Sequence, residues 1–370
     1  MQEPEPRPDR TDAAVWQEPP RGSFPDPRIF QLSGLEQIRA HFRGKWARPP
    51  VEHLLGIKCT GADKRGARFE QPASPWLASI DGEIPSGALA VIADSAMGCA
   101  ITAHRPPRTP FATAELSLDF TGPVPPNAGI LVGEASQVHA DGAMALSDAT
   151  ISDASGCLLA QATCRYVLLA QLPELTGDDG LPLSGAQIEA DVPVLETVLY
   201  ETPDPYQRPV RGEVLPNISL REMSGLDLLL GQIEGRLPPP PIHYLTGMRP
   251  TEVDDGTAAF ALPASAWLTV GFGTVMGGFI LLLAHSALMG AVLSTTPAGM
   301  SQVPLDIKIN FLRPVFADPN GGELRATGRI LHRGRSLSVA SADVVGLDGR
   351  PVAMAMGTAR EVPRREAASG

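Results

Sequence analysis

Two residues that can do chemistry, Asp94 and His285, occupy the same position in two copies of one sequence pattern. The copies run from Ser33 to about Val167 and from Ser224 to about Val362. In each copy the residue lies inside a long apolar run that is typical of a buried helix. A carboxylate at such a position can attack a carbonyl or activate water. A carboxylate in one copy and an imidazole in the other predict a fused pseudo-dimer with two unequal sites.

The register of the repeat is fixed by identical residues that keep a spacing of 191 positions, as from Trp76 to Trp267. Two copies of domain length indicate a duplicated domain, not a solenoid of many short units. Other matched segments are Ser33-Gly34-Leu35 with Ser224-Gly225-Leu226, Pro49-Pro50 with Pro240-Pro241, Gly56 with Gly247, Pro72–Leu77 with Pro263–Leu268, and Gly87–Ile101 with Gly278–Val292.

Composition excludes several classes of partner and cofactor. The net charge of −11 argues against nucleic acid and anionic membrane surfaces as partners, because both require clustered Lys and Arg. The four cysteines form no C-x-x-C and have no His at zinc-ligand spacing. We therefore expect reduced packing thiols in a cytoplasmic protein, with no metal site.

The segment from Thr274 to Ser294 is almost wholly apolar and long enough to cross a bilayer. It aligns, however, with Pro85 to Ile101, which carries Asp94 in its middle. The pattern favours a core helix wrapped on most sides by a sheet, and we expect no membrane span.

Each copy has the same order of signals: an amphipathic helix, a Pro-rich bend, one or two strands, the long apolar helix, and a run of strands with turns between them. One long helix ahead of antiparallel strands is an α+β pattern. We predict a disordered tail over residues 1–28, a first repeat over 29–170, a linker over 171–223 with a few strand residues near Val194 to Tyr200, a second repeat over 224–362, and a tail over 363–370.

Three short motifs resemble those of the hotdog-fold thioesterases, most of all the PaaI-like (phenylacetyl-CoA thioesterase) branch. The run from Ser86 to Gly98 is similar to that family's H-G-G-x-x-x-x-L-A-D-x-A-M-G, while the second copy has Met276-Gly277-Gly278 and later Asn310-Phe311-Leu312-Arg313-Pro314. The chain departs from the family pattern where its His is replaced by Pro85 and Met276, and where its first Gly is replaced by Ser86.

The resemblance implies a double hotdog, in which each long helix is wrapped by its own antiparallel sheet and the two sheets join. It implies an acyl-CoA (or acyl-carrier) thioesterase that recognises coenzyme A as part of its substrate and needs no other cofactor. Homo-oligomers of the double unit are expected on the same family grounds.

Helix geometry divides the candidate residues between two sites. Positions 86 and 94 of one helix are roughly 12 Å apart, so one carbonyl cannot touch both ends. Site A is therefore predicted to combine Asp94, as base or nucleophile, with Gly277-Gly278 of the other helix as an oxyanion hole. Site B would combine His285 with Ser86-Gly87; it lacks the acid and is expected to bind at most. Thr113 is a candidate to position water at site A.

Each assignment has an alternative. Asp94 could be a structural carboxylate, and Gly277-Gly278 could serve only close packing. A hotdog hydratase or dehydratase would pair a His with an acid, as Asp94 and His285 suggest. A non-catalytic acyl-CoA-binding protein is the third reading, because the family's His is missing.

Overall fold

A computed structural model describes residues 13–196, 198–271 and 273–364 of the chain. Parts of the two predicted tails, residues 1–12 and 365–370, lie outside this described region.

The first repeat contains the elements in the predicted order, with four strands after the long helix. Its helices are α1 (Gly34–Phe42), α2 (Pro50–Leu55) and α3 (Leu89–Thr102), and a 3₁₀ turn over Ser86–Ala88 leads into α3. Its strands are β1 (Lys58–Asp63), β2 (Gly66–Pro72), β3 (Phe111–Phe120), β4 (Ile130–Ala140), β5 (Met144–Ser152) and β6 (Leu158–Leu168).

The segment between the repeats contains two short helices, α4 (Gly185–Asp191) and α5 (Asn217–Glu222). The strand residues predicted near Val194 to Tyr200 are not found: the described residues of that stretch belong to no strand. The Leu195 N–H instead donates to the Gly44 carbonyl at 2.8 Å. The linker therefore runs beside the loop after α1 and adds nothing to the sheet.

The second repeat follows the same plan. Its helices are α6 (Gly225–Ile233), α7 (Pro241–Thr246) and α8 (Gly277–Ser294). Its strands are β7 (Arg249–Asp254), β8 (Thr257–Pro263), β9 (Thr269–Val270), β10 (Thr274–Val275), β11 (Met300–Phe311), β12 (Glu323–Arg333), β13 (Leu337–Val345) and β14 (Pro351–Pro363).

Twelve strands form one antiparallel sheet, in the order β1-β2-β4-β5-β6-β3-β11-β14-β13-β12-β8-β7. The two halves join where β3 pairs with β11, with Leu118 opposite Ile307. β9 and β10 pair with each other outside this sheet. The prediction of two sheets joined into one is confirmed, and the pseudo-symmetry is visible in the strand order, which reads alike from either edge.

The long helices α3 and α8 form the centre of the core. α3 packs on β2, β4 and β5, α8 packs on β8, β12 and β13, and the two helices contact each other. Among the described residues, α8 is the one helix that is long and apolar enough to cross a membrane. However, 78% of it is buried inside the protein. It is a core helix, which explains why it is apolar nearly all round.

The first residues of the described chain differ from the prediction. Residues 13–28 were expected to be disordered, yet Val15 is buried and the Trp267 indole N–H donates to the Glu18 carbonyl at 2.9 Å. The tail is charged overall, but it contains a short apolar segment, Val15-Trp16. Burial of this segment against the second repeat offsets the entropy lost when it becomes ordered.

Candidate active site

The two long helices cross so that the start of each one meets the middle of the other. Asp94 lies in the second turn of α3, and its Oδ2 accepts a hydrogen bond from the Gly278 N–H of α8 at 3.1 Å. α8 has no side-chain cap of its own at Met276. The carboxylate thus faces the positive end of the opposite helix, as predicted for site A.

Gly277 lies directly beside this carboxylate. A Cβ atom at Gly277 would lie 3.0 Å from Asp94 Oδ2 and 3.3 Å from the ring of Phe311. Its N–H is one of the donors that a helix start leaves without an internal partner, and no acceptor for it is found in the described region. Glycine therefore lets Asp94 and Phe311 approach the start of α8 closely, and it leaves a backbone N–H beside the carboxylate without a partner in the described region.

Gly278 has a different structural role from Gly277. A Cβ atom at Gly278 would lie 2.7 Å from the Val91 Cα and 2.8 Å from the Ala90 carbonyl oxygen. Here glycine is required by the close approach of the two helix backbones. Gly278 therefore allows the helices to pack and binds the carboxylate, whereas Gly277 lets Asp94 and Phe311 come close to the start of α8.

Burial sets the electrostatics of Asp94. Desolvation raises the pKa of its carboxyl group from 3.8 to about 6, and the hydrogen bond from Gly278 opposes the rise. The side chain keeps partial access to solvent. Asp94 is therefore mostly ionised at neutral pH but basic enough to accept a proton.

The pseudo-symmetric site has different chemistry. His285 of α8 packs against Gly87, where a Cβ atom would lie 2.7 Å from the imidazole Cγ, and its ring lies 5.7 Å from that of Phe120. Both ring nitrogens are buried without a hydrogen-bond partner in the described region. Burial lowers the pKa of His285 to about 4, so the imidazole is neutral at physiological pH. Ser86 occupies the position that Gly277 has at the other site.

Thr113 is less directly placed than the other predicted residues. It lies on β3 opposite Tyr166 of β6, so the two side chains leave the same face of the sheet. Burial raises the pKa of Tyr166, and the charges of Cys164 and Asp94 add to the rise. No hydrogen bond joins Thr113 to Asp94 among the described residues. Its part in positioning water stays a prediction.

The sequence analysis did not predict two aromatic residues that lie at the sites. Phe311 and Phe120 hold equivalent positions and face Gly277 and His285 respectively. Their shared spacing of 191 positions was the available signal. Glu52 of α2 was also missed; burial raises its pKa from 4.5 to about 7. No group of three or more metal-ligating side chains is present across residues 13–196, 198–271 and 273–364.

Both repeats match models of thioesterase families. Residues 31–164 match the acyl-CoA thioesterase C-terminal domain, and residues 272–353 match the thioesterase superfamily. The chain therefore resembles the hotdog-fold acyl-CoA thioesterases in both of its repeats. The predicted family and enzyme class are confirmed.

One solved structure supports the fold over most of the chain, and two others are also similar to it. The TesB protein of Mycobacterium avium subsp. paratuberculosis is 12% identical, with 85% of this chain and 98% of that chain covered at a TM-score of 0.51. An acyl-CoA thioesterase II, TesB2, from Mycobacterium marinum is 11% identical over 85% of this chain and 98% of that chain, with a TM-score of 0.48. Escherichia coli PaaI is 27% identical over 33% of this chain and 84% of that chain, with a TM-score of 0.30. No curated protein matches the chain significantly.

Proposed function

We propose that the chain hydrolyses acyl-CoA thioesters at site A, with Asp94 as general base and the Gly277 N–H as oxyanion donor. One observation supports this most: a partly accessible carboxylate with a pKa near 6 lies beside a glycine whose N–H is free. An acid and a neighbouring backbone donor are the two groups that thioester hydrolysis requires.

The proposed reaction proceeds in two steps. Asp94 takes a proton from a water molecule while the water oxygen attacks the thioester carbonyl carbon, and the Gly277 N–H stabilises the oxyanion. The C–S bond then breaks, the carboxylic acid is released, and Asp94 returns the proton to the departing thiolate. Attack by Asp94 itself, through an anhydride, uses the same groups.

The proposal assigns the oxyanion hole to a single donor. Gly278 was expected to contribute beside Gly277, but its N–H already donates to Asp94. That hydrogen bond orients the carboxylate and leaves the carbonyl to Gly277. Gly278 is then a positioning residue in this proposal.

The simplest rival is a purely structural Asp94. A carboxylate at a helix start is stabilising by itself, since it accepts from a backbone N–H and interacts with the helix dipole. An asparagine could keep that hydrogen bond through its Oδ1 but could not act as a base. The substitution Asp94→Asn therefore separates a cap from a catalyst.

A hydratase or dehydratase that uses both Asp94 and His285 is disfavoured by their separate surroundings. Asp94 contacts Gly278, while His285 contacts Gly87. Residues 87 and 94 of one helix are about 10 Å apart, so one substrate carbon cannot reach both groups. Addition of water to an enoyl-CoA would nevertheless reveal such an activity, and binding without turnover would reveal a non-catalytic protein.

A basic groove offers a place for the coenzyme A phosphates. It lies between α1 and the β1–β2 turn, has a volume of about 590 Å³, and is lined by Arg39, Arg43, Lys64 and Arg65 together with apolar residues. Arg43 pairs with Glu189 and Arg65 pairs with Asp63. Arg39 and Lys64 are exposed at the rim and are the side chains we assign to phosphate.

The deciding experiment measures thiol release from short, medium, long and aromatic acyl-CoAs. Wild type, Asp94→Asn and His285→Asn are compared, with folding checked by circular dichroism. We expect turnover by the wild type and by His285→Asn, and a loss of at least a hundredfold in Asp94→Asn. Undiminished turnover in Asp94→Asn would assign hydrolysis to another group. No release from any acyl-CoA would favour a binding protein.

A further inference from the structure

A cavity of about 470 Å³ lies on the His285 side of the molecule, between α6 and α8. This volume is in the range of small-molecule sites. Most of its wall is apolar, with Leu229, Ile233, Met248, Phe260, Met289 and Leu293 contributing large side chains. Neither Asp94 nor Gly277 nor Gly278 lines it, so it is separate from site A.

Three residues lining this cavity have buried polar atoms without a hydrogen-bond partner in the described region. They are the two ring nitrogens of His285, Oε1 of Gln302 and Nε of Arg364. Buried polar atoms are normally paired, and leaving one unpaired costs about 1–3 kcal/mol. Their concentration around one apolar cavity indicates a ligand that has an apolar body and a polar end.

The character of the unpaired atoms narrows the ligand class. Arg364 Nε is a donor, Gln302 Oε1 is an acceptor, and a neutral His285 offers one of each. His285 is 4% exposed and lies against Gly87, so its ring is held in place by packing. An acyl chain that ends in a carbonyl group fits both the apolar wall and the donors.

We propose that this cavity is a second site, which binds an acyl chain with a carbonyl head group without hydrolysing it. The head group accepts hydrogen bonds from His285 and Arg364, and the chain lies among the apolar side chains of α6 and α8. The position that holds the carboxylate at site A holds His285 here, so the cavity lacks the base that is proposed for site A. The proposal does not depend on Asp94 being the base at site A.

The test is an NMR titration of protein labelled with ¹⁵N in its histidines. The His285 signal is assigned by its absence in His285→Leu. Two probes are added separately: dodecanoate, and S-dodecyl-coenzyme A, a thioether that cannot be cleaved. We expect a saturable shift of the His285 signal with at least one probe. A shift with dodecanoate would identify the ligand as a free carboxylic acid, and a shift with S-dodecyl-coenzyme A would identify it as an acyl thioester.

Variants make the site assignment specific. Met289→Trp fills the cavity, and Arg364→Met removes the guanidinium donors while keeping the length of the side chain. Each should weaken the binding reported by His285 at least tenfold. Arg360→Met, at an exposed position of β14, is the matched control and should not change it. No shift with either probe, or a shift that both cavity variants leave unchanged, would overturn the proposal. Neither result would bear on hydrolysis at Asp94.

Discussion

Asp94 and His285 occupy equivalent positions in the two repeats, but only Asp94 has a hydrogen-bond partner. Its carboxylate accepts from Gly278 at 3.1 Å, whereas both nitrogens of His285 are unpaired in the described region. Burial moves the two groups in opposite chemical directions: the pKa of Asp94 rises to about 6, and that of His285 falls to about 4. One duplicated backbone thus has a charged site and a neutral one at neutral pH.

The first prediction is a rate that depends on ionised Asp94. Above its pKa of about 6 the carboxylate can accept a proton, so kcat/KM should reach a plateau near pH 7. Below pH 6 it should fall about tenfold per pH unit. The measurement is kcat/KM for one acyl-CoA from pH 4.5 to 8.

Glu52 supplies the control for this profile, since burial raises its pKa to about 7. Glu52→Gln should keep the acidic limb near pH 6. If the acidic limb of the pH profile disappears in Glu52→Gln, the group that titrates is Glu52 and not Asp94.

The second prediction concerns stability. The folded state binds the Asp94 proton more tightly than the unfolded state, so wild-type stability falls as pH rises from about 4 to about 6. Asp94→Asn removes this cost and can still accept the Gly278 N–H. We expect Asp94→Asn to be more stable than wild type at pH 8. The upper limit of the difference in unfolding free energy is about 3 kcal/mol, and solvent screening at the partly exposed side chain makes it smaller.

Denaturant unfolding at pH 8 and pH 4 measures this difference, which should vanish at pH 4. Asp119→Asn, an exposed position of β3, controls for the loss of one carboxylate. If Asp94→Asn is less stable than wild type at both pH values, the stabilisation from the Asp94 carboxylate at the start of α8 is larger than the cost of burying its charge.

Much of this arrangement could be predicted from the sequence, because the repeat fixes which residues are equivalent. The pairing of Asp94 with the glycines of the other helix followed from two arguments. Residues 86 and 94 are too far apart along one helix to act together, and the family resemblance implies sites between facing helices. The apolar character of α8 and its alignment with a run containing Asp94 identified it as a core helix.

Other features depend on details that no pattern encodes. The direction of the Gly278 N–H, which assigns it to Asp94 and leaves Gly277 for a carbonyl, requires the crossing of two helices. The cavity beside His285 depends on how side chains from α6, α8 and β7 fill the space. The ordered segment at Val15 was hidden by the charged residues around it.

The third prediction tests the basic groove. The double variant Arg39→Gln/Lys64→Gln should raise KM for acyl-CoA several-fold, because charged hydrogen bonds to phosphate are lost. It should leave KM unchanged for the matching acyl-pantetheine, which lacks the phosphates. The control Arg335→Gln/Arg360→Gln removes two exposed charges from the other repeat. An equal rise with both substrates would mean that the groove does not hold the nucleotide end.

The fourth prediction separates the proposed catalytic role of Gly277 from ordinary packing. In Gly277→Ala the new methyl group would lie 3.0 Å from Asp94 Oδ2 and 3.3 Å from the Phe311 ring, where the proposed carbonyl must approach. We expect kcat to fall at least tenfold while the melting temperature stays the same or rises, since alanine favours a helix more than glycine does. Ser86→Ala, the equivalent position of the other repeat, should leave kcat unchanged. Steady-state kinetics and thermal unfolding of the two variants decide it: activity and stability falling together in Gly277→Ala would reduce Gly277 to a packing residue.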